Sequence, residues 1–239
     1  MNASSRRARA AIATFAATAA LTTLAGGTAP LAARPAPAPV RDGESNDRSA
    51  DRSGLLAIED AAEAVAEGEQ TGAAAVRALQ RVVAQWPGVR ATLRQNGASP
   101  AALANVDATV AALRADTRPT ASSARDANDV TGALAPLFSV VGDRVPAGVH
   151  DLDYLGRSVA LDVRAADWAR AARDGATLRI RWLAVRPRVE ARPGGARAAS
   201  AFDRTVPAVA RAVAAHDRQA TLAAARSTTD AVDTVEKVF

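Results

Sequence analysis

Trp86-Pro87-Gly88-Val89-Arg90 and Trp182-Leu183-Ala184-Val185-Arg186 are the two stretches whose comparison decides how this chain is built. Each tryptophan precedes an aspartate by the same distance, Asp107 after Trp86 and Asp203 after Trp182, and the two copies are 96 residues apart. With that offset held and no gap allowed, residues 86–115 and 182–211 agree at Trp86/Trp182, Val89/Val185, Arg90/Arg186, Ala102/Ala198, Asp107/Asp203, Thr109/Thr205, Val110/Val206 and Ala112/Ala208. A composition this rich in Ala and Arg would give about three agreements by chance, so the repeat implies two related units in tandem.

Outward from these stretches the pattern is helical. Val76, Leu79, Val83 and Trp86 recur at spacings of 3, 4 and 3, which is one face of an α-helix. The first helix is predicted over about 55–67. A second starts at Thr71, where Pro87 kinks or ends it and Asn96-Gly97 closes the segment. Ser99-Pro100 is an N-cap followed by proline at the first helical position, and it opens a third helix reaching about Ala115. The fourth is expected over about 121–140, with Val130, Leu134 and Phe138 on one face.

Gly142 to Gly148 connects the halves, and the fifth helix begins near His150. Asp167 caps the sixth, the seventh covers about 197–215, and Asp217 caps the eighth. No run alternates with period two for long enough to be a strand. The expected fold is therefore all-α, a tandem duplication of an antiparallel four-helix unit, with units over 54–141 and 149–239.

The N-terminal region reads differently. Arg6, Arg7 and Arg9 precede an apolar stretch from Ala10 to Leu24 that is too short to span a bilayer, and Leu31-Ala32-Ala33 is an acceptable cleavage site. Residues 1–33 are thus expected to be a signal peptide, and 34–53, with its Pro/Ala repeats and charged tail, a disordered linker. The chain has no cysteine, so disulfides, thiolate ligands and lipid attachment at a cysteine are excluded. The expected location is secreted or extracytoplasmic.

Residues 1–40 hold four arginines and no acid, so the high pI belongs largely to the leader and the remainder is close to neutral. That balance, with few aromatics, argues against nucleic acid as a partner. Residues 148–239 hold 15 basic and 11 acidic side chains. The arginines between Arg170 and Arg197 could face an anionic envelope polymer or an acidic protein, or simply be solvated. No nucleophilic triad, phosphate loop or Gly-x-Ser-x-Gly motif is present, and a non-enzymatic role is expected.

One segment suggests chemistry: Gly148-Val149-His150-Asp151-Leu152-Asp153-Tyr154-Leu155. His150 and Asp153 are three apart at a helix start, so an imidazole and a carboxylate share a face and could supply two ligands to zinc or iron. Equally, Asp151 and Asp153 suit the positive end of a helix dipole, and Asp153 can pair with Arg157 one turn on. The segment resembles the Gly-x-His-x-x-Glu signature of imelysin-like proteins, with Asp153 at the glutamate position. Those are exported all-α proteins of two related helical bundles, some of them components of bacterial iron uptake. The resemblance implies metal handling, with His150 and Asp153 as the ligands.

Other carboxylates are paired by spacing. Asp126 and Asp129 lie on one face, as do Asp230 and Asp233 with Glu236, and the partners expected within the last helix are Arg226–Asp230 and Asp233–Lys237. Asp107 and Asp203 occupy equivalent places in the repeat and could each meet an arginine across the bundle or take part in a ligand site.

Overall fold

The computed structural model describes residues 42–68, 72–115 and 120–239. Eight α-helices follow one another among these residues: α1 (Asp42–Ala66), α2 (Gly72–Gln95), α3 (Pro100–Ala115), α4 (Ala121–Leu134), α5 (Ala147–Arg164), α6 (Trp168–Glu190), α7 (Gly195–Ala214) and α8 (Arg218–Glu236). A short 3-10 turn (Ala135–Leu137) extends α4, and no strand occurs among the described residues. The fold is all-α.

The pairing of helices closes two rings. Helix α1 packs on α2 and α4, and α3 packs on α2 and α4. Likewise α5 packs on α6 and α8, and α7 packs on α6 and α8. The contact between α4 and α5 joins the rings. The apolar interior divides the same way. One cluster draws on Leu55 through Val141, around Trp86, Leu93, Leu134 and Phe138. Two more draw on the second ring, one around Leu152, Trp182 and Phe202 and one around Val159, Ala171 and Val213.

The paired tryptophans show why the repeat has the residues it has. Burying an indole ring contributes apolar contact, but its N–H needs an acceptor. Trp86 Nε1 donates to Asp107 Oδ1 at 2.8 Å, linking α2 to α3, and Arg90 Nε closes on both carboxylate oxygens at 2.8 and 2.9 Å. In the second ring Trp182 Nε1 donates to Asp203 Oδ1 at 2.7 Å, linking α6 to α7. Arg186 grips the same carboxylate through Nε at 3.1 and 3.2 Å and Nη2 at 3.0 Å. Burial opposes the charge on Asp203, but the bonds from Arg186 and Trp182 prevail and hold its pKa below the usual carboxylate range. Both aspartates are thus occupied in packing.

Glycines repeat this theme. A Cβ at Gly54 would lie 2.9 Å from Val89 Cγ2, and one at Gly148 would lie 2.5 Å from Val185 Cγ1. In each ring the first helix approaches the second through a glycine facing the same repeated valine. The glycine of the Gly148-x-His150 segment therefore has a packing role.

The caps fall where the side chains dictate. Ser99, Asp167 and Asp217 accept from the backbone N–H groups of Ala102, Arg170 and Ala220. Thr120 and Ser123 form a reciprocal capping box. Helices α5 and α7 end in a left-handed residue that is not glycine, Ala166 at φ 61° and His216 at φ 52°. His216 stacks on Trp168 with centroids 4.8 Å apart.

Three boundaries differ from expectation. Helix α1 begins at Asp42, so residues 42–53 of the expected disordered linker are helical. Tertiary anchors hold that end: Asn96 Nδ2 donates to Asp51 Oδ2 at 2.6 Å, and Arg52 pairs with Asp143 at 3.1 Å. Helix α2 passes through Pro87 to Gln95. The lost hydrogen bond there is outweighed by burial of Val82, Trp86 and Leu93 and by the clamp on Asp107. Helix α4 gives way at Leu134 to the 3-10 turn that carries Pro136. The expected signal peptide (1–33), residues 34–41 of the linker and the cap at Thr71 lie outside the described residues.

Candidate functional site

Polar groups enter the interior where the two rings meet. Along α1 and into the turn that follows it, Glu59, Glu63 and Glu67 recur every fourth residue and form one acidic row. Along α5, His150 and Arg157 are two turns apart and meet that row.

His150 is 6% exposed. Its ring stacks flat on Phe138, with centroids 4.0 Å apart and planes within 6°. Nδ1 lies 3.2 Å from Glu59 Oε1. Nε2 lies 3.7 Å from Asp143 Oδ2, and neither of these two buried atoms has a hydrogen-bond partner. Asp143 leaves the 3-10 turn through a backbone bond to Phe138 O at 3.0 Å, and its other oxygen receives Arg52. Burial alone would lower the pKa of His150. The bond to Glu59 and the charges of Glu59, Glu236 and Asp143 outweigh it and raise the pKa above its ordinary value.

Arg157 is the second centre and is 5% exposed. Its Nε donates to Asn128 Oδ1 at 3.0 Å. Nη1 reaches Asp153 at 2.5 Å and Glu67 at 3.4 Å, and Nη2 reaches Glu63 at 2.9 Å and Thr131 at 3.4 Å. One guanidinium thus binds α1, α4 and α5 together. Burial raises the pKa of Glu63, with Arg157 opposing and Asp153 and Glu59 reinforcing the shift. Burial also raises Glu236, on α8, to about 7, with His150 opposing and Asp153 and Glu59 adding. Beside Arg157 a cleft of about 460 Å³ opens between α1, α5 and α8, lined in part by Glu67, Arg164 and Arg226.

Farther along α5, Asp162 is buried between Arg125 at 2.5 Å and Arg170 at 3.5 Å, and its Oδ2 has no partner. Burial and a bond from Asp174 push its pKa to about 6 against the pull of Arg125.

The residues singled out from sequence separate in this structure. His150 faces the interior among acids. Asp153, one turn on, gives its carboxylate to Arg157, and no hydrogen bond or ion pair joins it to His150. Asp151 pairs with Arg181 at 3.4 Å. Asp129 accepts from Tyr154 Oη at 3.5 Å. Of the acids on α8, Asp230 and Asp233 are exposed and Glu236 turns toward His150. Among the described residues, no three His, Cys, Asp or Glu side chains come together to hold a metal ion.

Sequence reasoning missed Glu59, Asp143, Arg125 and Asp162, the partners that make the site. The every-fourth-residue spacing of Glu59, Glu63 and Glu67 was a visible signal. Asp143 sits in an irregular loop, and nothing in its neighbours marks it. The chain matches no protein-family model, no curated protein and no solved structure.

Proposed function

We propose that this chain is an exported, non-enzymatic binding protein of tandemly duplicated four-helix units that holds a metal ion at His150. The observation that carries the reading is the pair of buried, unpartnered atoms, His150 Nε2 and Asp143 Oδ2, 3.7 Å apart. Two ligand atoms each about 2.1 Å from a tetrahedral ion stand about 3.4 Å apart, so a small closure would seat a metal between them. Glu59 on Nδ1 fits the outer carboxylate that orients a ligating imidazole. A nitrogen and carboxylate pair favours zinc or iron over calcium or magnesium. Glu236 loses its proton near pH 7 and adds charge to the same region as a cation arrives.

Asp143 replaces Asp153 in this ligand set, because Asp153 is bound to Arg157. Burial of both ligands suits holding an ion rather than turning over a substrate. Export rests on the basic and apolar character of residues 1–33, and duplication on the two Trp-Arg-Asp clusters.

The test is thermal melting and calorimetric titration of the full chain with Zn²⁺, Fe³⁺ and Cu²⁺, beside His150→Ala, Asp143→Asn and Asp153→Asn. One of these ions is expected to raise the melting temperature of the wild type and of Asp153→Asn, and to leave the other two variants unmoved. If no ion binds, or Asp143→Asn binds as the wild type does, the reading fails.

A further inference from the structure

Helix α6 has two apolar faces. One is buried and holds Ala171, Leu178, Trp182, Val185 and Val189 against the rest of its ring. On the opposite side Ala176, Ile180, Leu183 and Pro187 recur at spacings of 4, 3 and 4, which is again a single helical row. Ile180 is 66% exposed and Leu183 56%, and among the described residues no other large hydrophobic side chain is so open to solvent. Single exposed apolar residues are ordinary, but two in register on one row are a patch.

The border of this row is basic. Arg179 lies along one edge and Arg181 and Arg188 along the other, with Arg173 continuing the row at its N-terminal end. Arg173, Arg179 and Arg188 are exposed and make no ion pair among the described residues, whereas Arg181 reaches Asp151. Of the two acids of α6, Asp174 lies off the row beside Arg170, and Glu190 continues the row past Pro187 at its C-terminal end, where it pairs with Arg186. The one acid on the row is thus matched by an arginine, and the charges along it that make no ion pair are basic.

We propose that the outer face of α6 docks on an anionic lipid surface, with Ile180 and Leu183 entering the headgroup region and Arg173, Arg179 and Arg188 meeting phosphates. An apolar row edged by arginines is the arrangement of helices that lie in a membrane interface, where the long arginine stems reach upward to the headgroups. A second copy of the chain is a poor occupant, because apposed α6 helices would bring like arginines together. The contact is peripheral: no helix among the described residues is long and apolar enough to cross a membrane. This surface is independent of His150, and its failure would leave the metal reading untouched.

The experiment is co-sedimentation of the full chain with vesicles of phosphatidylglycerol and phosphatidylcholine in equal parts, and with phosphatidylcholine alone. The wild type is compared with Ile180→Asp/Leu183→Asp and with Arg173→Gln/Arg179→Gln/Arg188→Gln. All three proteins share residues 1–41, so binding through that segment would be equal in each. Far-ultraviolet melting checks that the variants fold, and the exposure of these positions predicts that they do.

Expected are wild-type binding to the anionic vesicles only, at least tenfold weaker binding by each variant, and a decline with added salt. Equal binding by all three proteins, or no preference for the anionic vesicles, overturns the proposal. So does a wild type that ignores vesicles but forms a dimer that Ile180→Asp/Leu183→Asp abolishes, since the face would then be a protein interface.

Discussion

Replacing Arg157 with methionine keeps a long apolar stem on α5 and removes the guanidinium that joins three helices. In the wild type that group serves Asp153, Glu63, Glu67, Asn128 and Thr131 from a position 5% exposed to solvent. Deleting one partner of a buried ion pair leaves a desolvated charge behind, at a cost of about 3–5 kcal/mol. For a chain of this size about 3 °C of melting temperature accompanies each kcal/mol, so a fall of about 10 °C or more is expected at neutral pH.

The pH dependence separates this cause from lost packing. Burial already holds Glu63 at about 9 beside Arg157, and without the guanidinium its folded pKa moves still higher above the unfolded one. The folded state then binds more protons, and the variant loses stability as pH rises through that range. The deficit of Arg157→Met should therefore be larger at pH 9.5, where wild-type Glu63 ionises beside Arg157, than at pH 5. Adding Glu63→Gln and Asp153→Asn should restore part of the loss at pH 9.5. The assay is urea unfolding followed by circular dichroism at both pH values. A deficit below about 1 kcal/mol at pH 9.5, the scale of an exposed pair, would refute the reasoning. So would a deficit equal at the two values.

Titration of the wild type gives a second expectation. His150 is raised above its ordinary value and contributes stability below pH 6.5 that is lost as pH rises through its folded pKa. Glu236, raised to about 7, becomes costly as pH climbs from 4.5 through 7. Both slopes have the same sign, so the protein should melt lower at pH 8 than at pH 5.5, and Glu236→Gln should flatten the curve. Asp107→Asn and Asp203→Asn should each cost about 1–2 kcal/mol by weakening an indole and a guanidinium bond. The double variant in equilibrium unfolding should show near-additive losses, as expected for sites in separate rings. Ala166→Gly should raise the melting temperature, because glycine relieves about 1 kcal/mol of left-handed strain, and a lower melting temperature would contradict this. Gly148→Ala should cost about 1–3 kcal/mol by forcing a methyl group into Val185, read from the same melts.

Much of the architecture was legible in residue order. The helix starts at Pro100, Trp168 and Arg218 followed from Ser99, Asp167 and Asp217, since a cap is a local hydrogen bond between near neighbours. The link from Trp to Asp was legible only because it occurs twice at one offset. Pro87 misled, because a local rule about proline says nothing of the apolar contacts that carry a helix past it. The start of α1 misled for the same reason: Asp51 and Arg52 are held by Asn96 and Asp143, residues remote in sequence.

The site was half legible. His150 stood out by rarity and by its neighbours, and Arg157 as the partner of Asp153 followed from helical spacing. The acids that complete the cluster, Glu59 and Asp143, come from another helix and an irregular turn. By itself, then, the sequence determined an all-α chain, its helix boundaries where caps are local, and the histidine to examine. The tertiary structure alone decided which charges share the low-dielectric space between the rings. Periodicity reports which face of a helix is apolar, but burial, pKa and ligand geometry depend on atoms brought together from distant segments.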